Sequence, residues 1–382
     1  MTLHDYVLLI KNRQSSLADY KLIEEQLKNT SILDVFTLFN TLLNEGEQIE
    51  DILNYVDPFI HAIDQHLKAK ELDLPQTGIL HYLDLENKAL TQKLNVLQDY
   101  FKVNATKELN KDYLRSSLHE LEQFSVHYTK TQNLLFPSLE KVNSNFEGLR
   151  ILWSMQDACR NALKATINAL NVKPFDFKLF SFALGSYFFK AFGLIQKENR
   201  FLLQASLNYL SAETLDDLTQ QMFEYPFIFI EKPFKPQVKE KSSLDLGGFI
   251  KTDTGELNFE QLECLLNALP LDVTLIDEDN KVRYFNKAID RVFPRSPAVI
   301  GRDVRNCHPA SSVDVVNKIV DALRSGERDE AQFWIQMKGH FILIKYIALR
   351  NSNKEYKGCL EVTQLVEEIR ALQGERRLLE WD

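Results

Sequence analysis

The feature that most constrains this chain is a change of hydrophobic period between its two halves. Through the first ~230 residues apolar side chains recur every three or four positions, the spacing of one buried helix face. Ile32, Phe36, Phe39 and Leu43 are an example. Downstream the period falls to two. LPLDVTLIDEDNKVRYFN (269–286) alternates, turns over the acidic tetrad Asp277 to Asn280, and alternates again, which predicts two short strands and a tight turn. FWIQMKGHFILIKYIAL (333–349) predicts a second strand pair about Lys338-Gly339, with Gly supplying the positive φ. YKGCLEVTQ (356–364) predicts a further strand, and a helix is expected from Ser311 to Arg324, stopped by Gly326.

The helical half divides at its glycines and prolines. Gly46 interrupts, a helix follows from Glu47 towards Lys70, and Pro75 and Gly78 mark a boundary. Long helices are predicted over His81 to Val103, Lys111 to Lys130 and on towards Pro137, Leu149 to Leu170, and Phe180 to Tyr209. Such a series makes an antiparallel bundle. PFIFIEKPFKPQVKEKSSLDLGG (226–248) reads as an extended arm and linker. QLVEEIRALQGERRLLEWD (364–382) reads as a short amphipathic helix with Val366, Ile369, Leu372, Leu378 and Leu379 on one stripe, interrupted by Gly374. The fold class is therefore multidomain α and α+β. Its expected parts are an N-terminal helical domain (1–74), a helical bundle (75–225), an arm and linker (226–255), a sheet-and-helix domain (256–366) and a terminal helix (367–382).

Composition removes several functions. The net charge is −9, and no Lys/Arg cluster with interleaved aromatics offers a face for phosphates, so nucleic acid is not the expected partner. Cys159, Cys264, Cys307 and Cys359 are scattered and fit free thiols in a reducing compartment. LFSFALGSYFF (179–189), bounded by Lys178 and Lys190, is shorter than the roughly 20 apolar residues of a membrane span. With no signal-peptide pattern at the N-terminus, a cytoplasmic location without membrane attachment is expected. No G-x-S-x-G, P-loop or dinucleotide fingerprint occurs, and the 13 glycines are dispersed. Enzymatic activity is not expected.

VRYFNKAIDRVFPRSPAVIGRDVRNCHP (282–309), FWIQMKGHFILIKY (333–346), LEVTQ (360–364) and RLLEW (377–381) resemble the PAS domain attached to bacterial hemerythrin-like (HHE) proteins. LLNEGEQIEDIL (42–53) resembles the N-terminal domain of unknown function of those proteins, and HYTKTQNLLFPSLEK (127–141) their hemerythrin core. The resemblance implies a PAS sensor and a bundle holding two irons between histidines and carboxylates. The candidate metal residues are His81, Glu86, His119, His127 and Glu198. Their pattern is degenerate: Gly78, Thr131, Gln132 and Gln156 stand where the family has ligands, and Leu202-Leu203 replaces a Phe-Pro. An intact di-iron site is not expected.

In the sensor half, Cys307 and His308 stand at the start of the Ser311 helix. There they could ligate haem. The simpler reading places them at a helix start, with serine as N-cap and His308 hydrogen-bonded to the sheet. Tyr284, Phe285, Phe293, Trp334, Phe341 and Tyr346 are expected in the core, where a small ligand pocket could form. Two functions compete. One is a non-enzymatic regulator whose PAS domain binds a ligand or partner, its terminal helix pairing with a protein partner or a second copy. The other is a metal- or haem-dependent sensor of oxygen, nitric oxide or redox state.

Overall fold

The computed structural model describes residues 1–67, 74–104, 109–235, 249–252, 254–289, 291–337 and 339–375, without the side chains of 64–67 and 249. The chain forms two compact units, Met1–Val238 and Lys239–Asp382. Both expected N-terminal segments, 1–74 and 75–225, lie in the first.

The first unit is helical. Helices α1 (Leu3–Lys11), α2 (Leu17–Asn29) and α3 (Ile32–Asn44) each open on a capping box, Thr2/Asp5, Ser16/Asp19 and Ser31/Asp34. Each hydroxyl accepts from the aspartate's backbone N–H while the carboxylate accepts from the cap's own N–H, an arrangement worth about 1 kcal/mol. Then come α4 (Ile49–Leu67) and α5 (Ile79–Asn104). The expected helix from Lys111 to Pro137 is segmented into α6 (Lys111–Glu122), α7 (Ser125–Lys130), a π-helical turn (Thr131–Leu135) and α8 (Phe136–Val142). Pro137 explains the π turn, because proline has no N–H for the Asn133 carbonyl and its ring pushes that carbonyl aside. Next are α9 (Leu149–Asn171), α10 (Phe177–Lys197), a second π segment (Glu198–Leu203), α11 (Gln204–Tyr209) and α12 (Ala212–Met222).

From Phe177 to Tyr209 the helix is continuous for 33 residues, long and apolar enough to cross a membrane by length and composition. The sequence expectation treated residues 179–189 alone and so understated it. In the bundle this run buries Phe180, Leu184, Tyr187, Ala191, Leu194 and the whole of Phe201–Leu203.

The expected arm does not start at residue 226. Phe227 packs edge-on against Tyr82 at 5.7 Å between ring centroids, and Phe229 stacks on Phe124 at 6.0 Å. Phe229 itself sits at φ 62°, a left-handed conformation costing a branched or bulky residue about 1–3 kcal/mol. The ring contacts hold it there. Residues 236–248 of the expected linker lie outside the described residues.

The second unit opens with a hairpin the sequence reading missed, β1 (Phe249–Thr252) and β2 (Gly255–Asn258), followed by α13 (Phe259–Ala268). A five-stranded antiparallel sheet follows in the order β4-β3-β7-β6-β5. Its strands are β3 (Asp272–Ile276), β4 (Val282–Phe285), β5 (Glu330–Met337), β6 (His340–Arg350) and β7 (Tyr356–Leu365). Met337 pairs with His340 across the expected turn, where Gly339 has φ 85°. Between β4 and β5, α14 (Ala310–Ser325) ends on left-handed Gly326 and lays Val316, Val320 and Leu323 against Ile342, Ile344 and Tyr346. Its N-cap is Pro309, without a side-chain cap, so the expected serine cap is not formed.

Two further expectations are corrected. Trp334 is 61% exposed on the outer side of β5, because that strand turns Phe333 and Ile335 inward. The terminal helix is the single turn α15 (Glu367–Ala371), with Ile369 and Leu372 exposed. Leu378, Leu379 and the rest of 376–382 lie outside the described residues.

Candidate functional site

Each unit buries a polar cluster, and buried polar groups are the informative ones in an apolar interior. In the helical unit, Glu86 on α5, His127 and Lys130 on α7, and Glu198 at the start of the second π segment are all buried. His127 lies between the carboxylates, Nδ1 2.8 Å from Glu86 Oε2 and Nε2 3.2 Å from Glu198 Oε2. Two ionised carboxylates are both satisfied when both ring nitrogens carry protons, which makes the ring an imidazolium. Burial pulls the His127 pKa down, but Glu198 and Glu86 outweigh it and hold it above its ordinary value.

Glu86 has two further partners. Lys130 Nζ donates to its Oε1, and the Ile228 backbone N–H donates to the same oxygen at 2.8 Å. Burial pushes the Glu86 pKa up, yet His127 and Lys130 hold it below the usual range. Burial lowers the Lys130 pKa, against the pull of Glu86. The ammonium also donates to the Pro226 carbonyl at 3.1 Å and lies 5.3 Å from the centre of the Phe227 ring. On the far side, Gln156 Nε2 donates to Glu198 Oε1 at 2.8 Å and to Thr131 Oγ1 at 3.0 Å, and Gln132 Nε2 donates to Gln156 Oε1 at 2.6 Å. Two carboxylates thus face two cations in a closed network.

Of the five candidate metal residues, the structure joins Glu86, His127 and Glu198. His81 is half-buried beside Tyr82, and His119 is exposed and bonded to Glu122 at 2.7 Å. A di-iron centre needs several nitrogen and oxygen donors with lone pairs aimed at one point. Here both His127 nitrogens are spent on carboxylates and an ammonium holds Glu86, so these residues do not fit such a centre. Among the described residues, no group of three or more His, Cys, Asp and Glu could hold a metal ion. Lys130 and the 226–229 segment escaped the sequence reading; a lysine within an apolar, aromatic stretch was the available signal.

In the second unit the sheet's inner face carries Glu361 on β7 among Ile344, Tyr346 and Cys359. Arg295 Nη2 donates to Glu361 at 2.9 Å, and the Tyr346 hydroxyl donates to it at 3.4 Å. Burial would lower the Arg295 pKa, but Glu361 holds it above its ordinary value. Burial pushes the Tyr346 phenol up. His308 faces this group; burial holds its imidazole pKa below the ordinary value despite Glu361. Its Nε2 and Arg295 Nε are buried with no hydrogen-bond partner among the described residues. Cys307 is half-buried, and its thiol donates to the Asp303 carbonyl at 3.5 Å. Nearby, Asp272 accepts from the Val292 N–H at 2.7 Å, and Arg291 donates to Thr274 Oγ1 at 3.2 Å. Sequence reasoning found Cys307 and His308 but missed Arg295 and Glu361.

The family model for PAS domains matches residues 262–366, the stretch that builds this sheet and helix. The C-terminal unit carries a PAS domain. Solved structures are similar to parts of the chain. A C-terminal domain from Streptococcus mutans is 33% identical, covering 33% of this chain and 98% of that one, with a TM-score of 0.32. The PAS domain of a Colwellia psychrerythraea protein is 15% identical over 28% of this chain and 97% of that one, TM-score 0.24. A sensory box sensor histidine kinase from Vibrio cholerae is 14% identical over 27% and 87%, TM-score 0.22. No curated protein matches the chain. The PAS match leaves residues 1–261 uncovered, and the hemerythrin-like reading of the helical unit rests on the residues quoted for it.

Proposed function

We propose that this chain is a non-catalytic sensory and regulatory protein. Its PAS domain takes up a small hydrogen-bonding ligand or a partner group, and the segment after β7 carries the change outward. The observation behind this reading is the pair of unsatisfied buried atoms, Arg295 Nε and His308 Nε2, beside Glu361. Leaving such a group without a partner costs about 1–3 kcal/mol, which a ligand meeting both would offset. The path outward is short. Glu361 lies on β7, which leads directly into α15, and that turn is held to β6 by Val366 N–H donating to Phe341 O at 3.1 Å and by Arg370 over the Phe341 ring at 4.2 Å. The exposed Ile369 and Leu372 then face a second copy or another protein.

In the same reading the helical unit is a hemerythrin-type bundle whose cations are now side chains. Lys130 and the His127 proton supply positive charge between the two carboxylates. A haem-dependent sensor is the alternative, and it would use the neutral His308 Nε2 as iron ligand.

One experiment tests both readings. Freshly purified full-length chain is examined by native mass spectrometry and visible absorption. Hydrogen exchange of residues 366–375 is then followed before and after ligand removal by unfolding and refolding. The proposal expects a small-molecule adduct absent from Arg295→Met, with exchange at 366–375 changed by its removal. An intense haem band lost in His308→Ala would favour the alternative. Identical mass and exchange before and after stripping would defeat ligand sensing.

A further inference from the structure

The two edges of the five-stranded sheet are finished differently. β4 closes one edge. It is four residues long, carries Arg283, and meets β3 with a register shift between Leu275 and Ile276. A loop also covers it: Val282 N–H donates to the Arg302 carbonyl at 2.9 Å, and Gly301 N–H donates to the Val282 carbonyl at 2.7 Å. Shortness, basic charge, irregularity and cover are the means by which proteins keep an edge strand from pairing with another chain. β5 closes the other edge, and among the described residues no strand pairs with its outer side. Its eight residues, EAQFWIQM, hold no lysine, arginine or proline, and they pair with β6 without a register shift.

The register says which backbone groups are left over. Ala348 N–H donates to the Asp329 carbonyl at 2.9 Å, and Met337 faces His340 across a two-residue turn. The odd-numbered residues of β5 therefore exchange hydrogen bonds with β6, and Gln332, Trp334 and Gln336 aim their N–H and C=O groups away from the sheet. Phe341, opposite Gln336, agrees: its carbonyl accepts from Val366 on the β7 side at 3.1 Å.

We propose that β5 pairs antiparallel with β5 of a second copy of this chain, about a two-fold axis at Trp334, joining two sheets edge to edge. The strand is complementary to itself in this register. Trp334 meets its own copy, Gln332 meets Gln336, and on the inner side Phe333 meets Ile335. Aromatic and apolar pairs of this kind stabilise cross-strand contacts, and no like charges stand opposite each other. The contact is continuous with α15. That turn is bonded to Phe341 and so lies beside the Gln336 end of β5, where the second copy's strand arrives. Two strands alone bury less than the roughly 800 Å² per partner of a stable complex; Ile369 and Leu372, 53% and 77% exposed, enlarge it. The proposal rests on the functional reading only in naming the partner of α15, and ligand uptake is separate from it.

The test follows the full chain by sedimentation velocity over a concentration series, where a reversible dimer is expected. Gln332→Pro removes an outward N–H and leaves the bonds to β6 in place. By symmetry it acts twice, so dimerisation should weaken by about tenfold or more while the amides of β6 and β7 stay protected from exchange. Trp334→Lys places at the axis the charge that natural edge strands use and should also give monomer, which keeps the test decisive if the proline variant misfolds. Cross-linking checks the register. In a Cys264→Ser background, which removes an exposed thiol, Trp334→Cys should form an intermolecular disulfide on mild oxidation, because a hydrogen-bonded antiparallel pair holds its Cα atoms about 5.5 Å apart. Gln332→Cys should not. A monomeric full chain, a dimer unchanged in both Gln332→Pro and Trp334→Lys, or equal cross-linking from positions 332 and 334 would overturn the proposal. Ligand uptake by such a monomer would leave the sensory reading standing.

Discussion

Replacing Lys130 by Met removes one charge from the buried network and keeps the aliphatic stem. Glu86 then retains His127 Nδ1 at 2.8 Å and the Ile228 N–H at 2.8 Å, but loses its ammonium partner. Breaking a buried ion pair from one side costs about 3–5 kcal/mol, and the two surviving hydrogen bonds place this case near the lower end, about 3 kcal/mol. With a urea slope of about 3 kcal/mol/M, the midpoint should fall by about 1 M. Trp153 reports on the helical unit once Trp334 and Trp381 are replaced by Phe. Adding Glu86→Gln removes the stranded charge while Oε1 still accepts from Ile228, so the double variant should regain at least about 1.5 kcal/mol over Lys130→Met.

The pH dependence adds a sign. In the intact chain the Glu86 pKa lies below its ordinary value, so its contribution is present above the unfolded pKa and is lost as pH falls through the folded one. Without Lys130 one of the two groups that lower it is gone, and the folded pKa moves up. The variant's deficit should therefore shrink as pH falls through the folded pKa. A cost under about 1 kcal/mol, or a double variant at the sum of the two single losses, would refute the charge-pairing argument.

Other outcomes follow from single features. Gly358 has φ 134°, and a Cβ there would lie 2.1 Å from the Ile276 carbonyl oxygen; Gly358→Ala should cost the PAS domain about 3 kcal/mol by Trp334-monitored urea unfolding, and an unchanged midpoint would contradict the register of β3 on β7. Ile369 and Leu372 are 53% and 77% exposed, so replacing both with Asp should abolish association seen by sedimentation while the PAS transition stays put; unchanged sedimentation and partner capture would make α15 a mere surface turn. Metal analysis of chain purified from iron-supplemented culture should find far less than one iron per chain, and two irons lost on His127→Ala would overturn the ammonium-centred reading.

The strands were legible because a period of two and the turn chemistry at Asp277–Asn280 and Gly339 agree with each other. Glu86, His127 and Glu198 were legible through the resemblance to hemerythrin-like proteins, whose ligand positions they match. Lys130 was not, since a lysine three residues beyond a histidine usually reaches solvent, and only the fold shows Glu86 and Pro226 closing over it. The apolar run from Phe227 to Ile230 looked like strand or linker because its partners, Tyr82 and Phe124, are far away in sequence. Glu361 was hidden by its own alternation. Cys359, Glu361 and Thr363 face inward while Leu360 and Val362 face outward, and alternation alone does not say which face is the core.

The 33-residue run from Phe177 to Tyr209 has two solvents open to it during synthesis, the bundle and a lipid bilayer. Composition alone admits both. What separates them is where Glu198 would end up. In the bundle its carboxylate meets a histidine and a glutamine amide; in a bilayer Lys197, Glu198 and Arg200 would have to stay at the interface and end the span. The helix reaches its partners on α5 and α7 only after those have been made, and they precede it in the chain. Synthesis from the N-terminus thus delivers the cage before the charge that needs it.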